Sequence, residues 1–449
     1  MKRFWLVLLS LGLIASFSTQ AMAVDVKFSG EYYAAGMYLD KTTLKKDTAT
    51  DGPSTAFYFQ RLRLNTIFVI SPGLTLTTRA DIMERAWGAA RSNPGTGLDS
   101  MSAGTRAENE NIAFDLAYVT YLSPIGLFTA GYQIHGVWGT VFGDNPLPTG
   151  TVAYIIKIGG FLGSIQTGKF VEGSRTSKNP ALAADRDKSY LLMFGRFEWK
   201  GGEAGILGEY MRDATNRSVG LPGPLQDVGY LSSAIALFPY AKVQLGPVAL
   251  QAELNYLYGK ATDWEGPYIG QPNMELNQLA GMVDALANFG MFYVGGTMAY
   301  VPGDDPGTRD KLEGGGLDGG IDWNPCLILF NNDLNYWLGG QAGYNGSANA
   351  GPMINAWFFQ LRGGVKPIDK LDIMASVSYA NADKKPTAAW LYDDYGYEVD
   401  LSATYKIRDN LSYKLGGGYL FTGKYYKGED DTNQIRDNFM VINKLTLTF

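Results

Sequence analysis

Residues 57–87 read FYFQRLRLNTIFVISPGLTLTTRADIMERAW. Before the Ser71-Pro72-Gly73 break, Leu62, Leu64, Phe68 and Ile70 fall on one parity, and Arg61, Arg63 and Asn65 on the other. After it, Leu74, Leu76, Ala80 and Ile82 alternate with Thr75, Thr77, Arg79, Asp81 and Arg85. A period of two is the signature of strands with unlike faces, and a Pro-Gly turn between them makes a hairpin. A tight turn places Asn65 opposite Arg79 and Arg63 opposite Asp81, so opposite charges meet across the strands on the polar face.

The same alternation runs to the end of the chain. In VINKLTLTF, Phe449, Leu447 and Leu445 alternate with Thr448, Thr446 and Lys444. Such a strand suits an edge of a sandwich or the closing strand of a membrane barrel, whose lipid face is apolar and whose interface is aromatic. The opening residues favour the barrel. Lys2 and Arg3 precede an apolar run from Phe4 to about Phe17, and Ala21-Met22-Ala23 follows. That order is a secretory signal cleaved after Ala23. The run is short for a spanning helix, and no later stretch is longer. An exported chain with 28 Tyr, 22 Phe, 9 Trp and 56 Gly fits an outer-membrane barrel over residues 24–449.

Charge and cysteine usage exclude other classes. The net charge is −6, more negative once Lys2 and Arg3 are removed, which argues against a nucleic-acid partner. Cys326 is the single cysteine, so no intramolecular disulfide braces the fold. No Pro- or Ser-rich linker divides the length into soluble domains.

Short breaks and long polar stretches alternate along the chain. Eight short turns fall at 71–73, 123–126, 159–160, 200–203, 246–247, 288–290, 367–370 and 408–410. Nine longer connections fall near 40–55, 88–109, 139–150, 171–187, 213–229, 261–275, 302–352, 382–394 and 423–437. This spacing predicts an all-β transmembrane antiparallel barrel of about eighteen strands, with short periplasmic turns and long extracellular loops. Closure is required because lipid offers no partner to an open sheet edge. Helical periodicity is absent apart from a weak stripe over 276–287. A strand pair inside 302–352 would make the count twenty; the segment is read instead as one large loop, folded into the lumen or capping the outer mouth.

YGYEVDLSATYKIRDNLSYKLGGGYLFTGKY (395–425) resembles the closing region of the alginate-export-type family of outer-membrane porins. Residues 59–82 are similar to its R-x-R-L hairpin. The resemblance spans some fifty residues and implies an eighteen-stranded barrel passing solutes by diffusion. In the alginate exporter an arginine-rich lumen selects an anionic polysaccharide. Here Arg61, Arg63, Arg79 and Arg362 are interleaved with acids, so alginate itself does not carry over.

Alternation nominates pore-lining residues: Arg61, Arg63, Arg79, Asp81, Arg85, Asp115, Arg196, Glu198, Glu253, Arg362, Glu398 and Asp400. Such charges either sort solutes or simply pair across strands. The Arg61, Arg63, Arg79 and Arg85 cluster outnumbers Asp81 and points to small anionic solutes among hydrophilic ones. Acidic residues from Asp304 to Asp322 read as a solvated loop; their spacing matches no EF-hand. Tyr397, Tyr405, Tyr413, Tyr419 and Phe421 suit an outward interface girdle. Phe449 is the candidate assembly signal, read by the barrel-assembly machinery. No cofactor, metal or catalytic site is expected: His135 is the only imidazole, and neither a G-x-S-x-G elbow nor a C-x-x-C-H haem motif is present. The readings are thus a diffusion or export channel, with a sheath around a periplasmic electron-transfer or secretion partner, or a barrel hydrolase, as alternatives. Lipid and small solutes are the expected partners.

Overall fold

A computed structural model describes residues 24–47, 52–88, 112–173, 185–217, 229–265, 272–349 and 351–449. The proposed signal segment 1–23 lies outside them. The strands in chain order are β1 (Asp25–Leu39), β2 (Thr55–Ser71), β3 (Leu74–Ala86), β4 (Ile112–Ser123), β5 (Gly126–His135), β6 (Leu147–Ile158) and β7 (Phe161–Val171). β8 (Lys188–Trp199), β9 (Gly202–Asp213), β10 (Tyr230–Leu245), β11 (Val248–Trp264), β12 (Met274–Phe289) and β13 (Phe292–Val301) follow. Three two-residue strands come next: β14 (Lys311–Leu312), β15 (Gln341–Ala342) and β16 (Ala348–Asn349), with one short helix, α1 (Asn332–Leu338), before β15. The chain then continues through β17 (Ala356–Ile368), β18 (Leu371–Ala382), β19 (Asp394–Arg408), β20 (Leu411–Thr422) and β21 (Asn438–Thr448).

The long strands make a closed antiparallel barrel of eighteen strands. Each pairs with its neighbour in sequence, and β21 closes on β1 from Glu31↔Thr448 to Leu39↔Met440. Closure satisfies the ladder of both edges, as a lipid-embedded sheet requires. Two-residue turns join the hairpins at one rim, among them Pro72-Gly73 and Gly246-Pro247. Gly73 sits at φ +80°, a left-handed conformation that a side chain would strain.

Alternation decides which face meets lipid. On β19, Tyr397, Val399 and Leu401 are 51%, 42% and 59% exposed, while Glu398 and Asp400 between them are 0% and 4% exposed. Tyr405, Tyr413, Tyr419 and Phe421 also face outward. An apolar outer belt around a polar inner face is the design of a barrel in a bilayer.

The β2–β3 hairpin keeps its expected register: Asn65 pairs with Arg79 and Arg63 with Asp81. Beyond Leu62↔Ile82 the ladder shifts by one, and Gln60 then pairs with Arg85. Met83 carries the extra residue at φ 54°. This bulge reverses the parity of β3. Glu84 turns inward and is buried, while Arg85 stands opposite Gln60 on the outward face with Tyr58 and Trp87. Arg85 therefore does not belong with Arg61, Arg63 and Arg79. The weak helical stripe over 276–287 lies within strand β12.

Residues between β13 and β17 pack inside the wall. Asn331 caps α1, accepting from Leu334 N at 2.8 Å, and its amide donates to the carbonyls of Cys326 and Leu327 at 2.9 Å. Trp337 of α1 lies 4.4 Å, ring to ring, from Phe59 of β2. Ile328, Leu329 and Phe330 join Met37, Phe358 and Leu420 of the wall in one buried apolar cluster. Two buried wall residues hold the segment by its backbone. Glu398 accepts from Ile328 N and Leu329 N at 2.7 and 2.6 Å. Gln278 of β12 accepts from Gly316 N and Leu317 N and donates to the carbonyl of Gly314. A second inward loop, residues 136–146, lies on β11: Thr140 N donates to Glu253 Oε2 at 2.7 Å, and Phe142 is fully buried.

Candidate functional site: two chambers of opposite character

The inward side chains of β1, β2, β3 and β21 bound a cavity of about 610 Å³ against Ile134 of β5, α1 and the loop before it, with Glu84, Asp322 and Asp333 among its lining. Arg61, Arg63, Arg79 and Lys444 project into it from the wall. A smaller cavity of about 320 Å³ shares Met37, Asn324, Asp333, Ile442 and Lys444 with it and adds Lys414.

The arginines are paired. Arg63 Nε and Nη2 bond Asp81 at 2.7 and 2.6 Å, a fork-on-carboxylate geometry. Arg79 Nε bonds both Asp115 oxygens, at 3.0 and 2.9 Å. Asp115 reaches it from a bulge in β4, where Arg79 pairs with Leu116 and Ala80 with Phe114. Arg61 lies 3.5 Å from Glu84 and 3.7 Å from Glu31. The surplus of positive charge expected of this cluster is thus largely cancelled, because Glu31, Glu84 and Asp115 join Asp81 as counter-ions.

The less closely paired positive charge sits elsewhere. Lys414 on β20 and Lys444 on β21 are direct cross-strand partners. Like charges placed opposite destabilise a sheet. Asp333 shares their cavity and, with Asp400, acts on Lys414 through space, while Lys444 lies 4.3 Å from the Tyr33 ring centre. Both lysines alternate correctly with outward Leu445 and Tyr413, so their inward placement was legible. What the alternation could not show is that their strands abut the arginines across the seam where β21 meets β1.

The other candidates stand apart. Arg196 pairs with Glu198 at 2.7 Å and Glu203 at 3.5 Å, near the rim of two-residue turns. Arg362 bonds Asp284 at 2.7 Å. Glu253 supports the 136–146 loop, and Glu398 the segment beneath α1. Asp400 lies beside Glu398 and Cys326, all three buried. No single constriction gathers the nominated charges.

Adjoining the arginine-lined cavity, with Ile134 and Val137 common to both, β5 to β11 bound a cavity of about 310 Å³ of another kind. Leu192, Phe194, Leu207, Met211, Phe238 and Leu257 supply an apolar wall. Glu209, Glu253, Asp144 and Asp318 supply carboxylates. His135, the only imidazole, lies here with Nε2 3.2 Å from Glu209 Oε1, and its ring packs 4.4 Å from Tyr190. Asp144 accepts from Trp138 N at 2.8 Å. Burial pushes the Asp144 carboxyl up to about 6; that N–H and Lys242 hold it down, while the charge of Asp322 adds to the rise. The acidic residues of 304–322 do not converge. Asp305 faces Lys384 and Asp318 accepts from Asn145.

Comparison with solved structures returns barrels of this architecture. Pseudomonas aeruginosa OccK9 (OpdG) aligns over 94% of this chain and 99% of its own, with a TM-score of 0.50 at 16% identity. Pseudomonas aeruginosa OccK8 (OprE) aligns over 95% and 98%, with a TM-score of 0.50 at 12% identity. A BenF-like porin from Pseudomonas fluorescens Pf-5 aligns over 94% and 99%, with a TM-score of 0.49 at 13% identity.

The fold is that of an outer-membrane porin.

No protein-family model and no curated protein matches the sequence. The coarser part of the family resemblance, a Gram-negative porin architecture, therefore stands. The alginate-export-type assignment is not what the comparisons return. At such identities the likeness is one of fold, and function has to be argued from the lumen.

Proposed function

We propose that this porin-fold protein is a passive outer-membrane channel for small hydrophilic anions, drawn along the basic chamber between β1 to β3 and β20 to β21. The observation that carries this reading is the Lys414↔Lys444 pair. Two ammonium groups held opposite each other at the inner wall cost stability, and a passing anion offsets that cost. The three arginines line the adjoining wall, their charge largely met by Glu31, Glu84, Asp81 and Asp115. Arg63 and Arg79 bond their carboxylates through Nε and Nη2, and a guanidinium fork suits a solute carboxylate or phosphate. Low-dielectric walls focus the field there, so the local charge outweighs the negative total of the chain.

The cavity has room for a monomeric solute and none for a polymer, because the chain between β13 and β17 fills the centre. That filling also argues against a barrel that sheaths a partner protein, since a threaded partner needs the same volume. A hydrolase has no support from His135, whose neighbours are an acid and aromatic rings rather than a hydroxyl nucleophile. Single-channel recording of the refolded protein in a planar bilayer under a salt gradient tests the reading. The expected result is an ohmic channel of small conductance with several-fold anion preference. A cation-preferring reversal potential would overturn it.

A further inference from the structure

The second chamber differs from the first in having no lysine or arginine in its lining. Its wall is apolar and aromatic on β8 to β11, where a diffusion channel for ions needs polar groups. Its four carboxylates face no lysine or arginine of the lining. Glu253 is bonded by a neutral N–H from Thr140, and the Asn255 amide, oriented to satisfy its neighbours, donates to it at 3.0 Å. Asp144 is bonded by Trp138 N, and Asp318 by Asn145 and Gly320 N. Lys242 reaches Asp144 only through space, and its ammonium lies 3.5 Å from Glu203. Glu209 is 5% exposed, and its Oε1, like His135 Nε2 beside it, makes no hydrogen bond of good geometry. Burying acids without a cation is costly: the imidazole of His135, 3.2 Å from Glu209 Oε1, is the one basic group in the described lining, and it leaves Glu253, Asp144 and Asp318 without one.

We propose that this chamber is a binding site for a small arylalkyl ammonium, whose apolar body lies against Leu192, Leu207 and Phe238 and whose NH₃⁺ donates to Glu209. Three donors on a compact ammonium match the acceptors Glu209 and Glu253 at the polar end. Trp138 and Phe194, packed 4.9 Å apart, both line the chamber, and aromatic rings attract a cation. The volume of about 310 Å³ is at the lower end of the range for small-molecule pockets, which sets the ligand at roughly one ring and a short chain. The two cavities share Ile134 and Val137, but this site is read by equilibrium binding and the anion pathway by reversal potential, so the failure of one test is distinguishable from that of the other.

The test is equilibrium titration of the refolded full chain with phenethylamine hydrochloride, 2-phenylethanol and phenylacetate, three isosteres that differ in charge. Phenethylammonium is expected to bind at least about tenfold more tightly than either of the others, as charge-assisted hydrogen bonds imply. Glu209→Gln is expected to remove that preference. Leu207→Phe, which stays apolar and fills the cavity, should weaken all binding if Glu209→Gln does not fold. Equal affinity for the three probes, a preference for phenylacetate, no binding below about 10 mM, or full affinity in Glu209→Gln would each overturn the proposal. The wild-type comparison alone is decisive.

Discussion

Replacing Glu398 should release the segment that fills the barrel. Its two oxygens take the N–H groups of Ile328 and Leu329 at 2.7 and 2.6 Å, with the side chain fully buried. A hydrogen bond to an ionised acceptor is worth about 1.5–3 kcal/mol and a neutral one about 0.5–1.5 kcal/mol. Glu398→Leu removes both bonds and leaves two donors buried without partners, a loss of roughly 3–5 kcal/mol. Asp400 lies beside Glu398, and relief of their crowding returns part of this, leaving about 2–4 kcal/mol. Because each 1.4 kcal/mol is tenfold, docking of the segment weakens by a factor of about 30 to 700. Single-channel traces should then show a larger and noisier conductance, and limited proteolysis should cut between residues 302 and 355. Glu398→Gln keeps one acceptor and should lie between the two. If both variants fold, yet conductance and protease resistance match the wild type, the apolar packing of Ile328, Leu329 and Phe330 holds the segment and Glu398 is incidental.

Lys444→Glu should move the reversal potential toward cations, since it converts the Lys414↔Lys444 repulsion into an attraction and removes two positive charges' worth of field; an unmoved potential would separate permeation from this wall. Arg63→Ser should instead act on stability, because it leaves buried Asp81 without its fork; a loss of about 3–5 kcal/mol is expected, read as a lower temperature for the gel shift of the folded barrel, with little change in selectivity. Deleting Phe449 should reduce the folded fraction in outer membranes: its N–H and carbonyl pair with Gly30 at 3.1 and 2.8 Å and fasten the closing seam. Normal assembly without it would show that the ladder above suffices.

The barrel was legible in the sequence because its cause is local. Each strand must present apolar side chains to lipid and polar ones inward, so a period of two is imposed on residues such as Tyr397 to Ser402, and turn residues such as Pro72-Gly73 mark its ends. The register of β2 on β3 followed from the turn as far as Leu62↔Ile82. It then failed at Met83, since a bulge is one extra residue that alternation cannot announce, and with it Glu84 and Arg85 exchanged faces. Which charges cancel was a tertiary matter. Asp115 meets Arg79 from the next strand, β4, Asp284 meets Arg362 across β13, and Glu84 meets Arg61 because the bulge at Met83 turns it inward. The same holds for Lys414 and Lys444, whose strands reach the arginines only through closure of β21 on β1. Nothing periodic in residues 302–355 told that Glu398 and Gln278 would bind their backbone, because an irregular loop is positioned by the partners it finds and not by a repeat of its own. The wall of this protein is written in its alternation; the contents of its lumen are decided by folding.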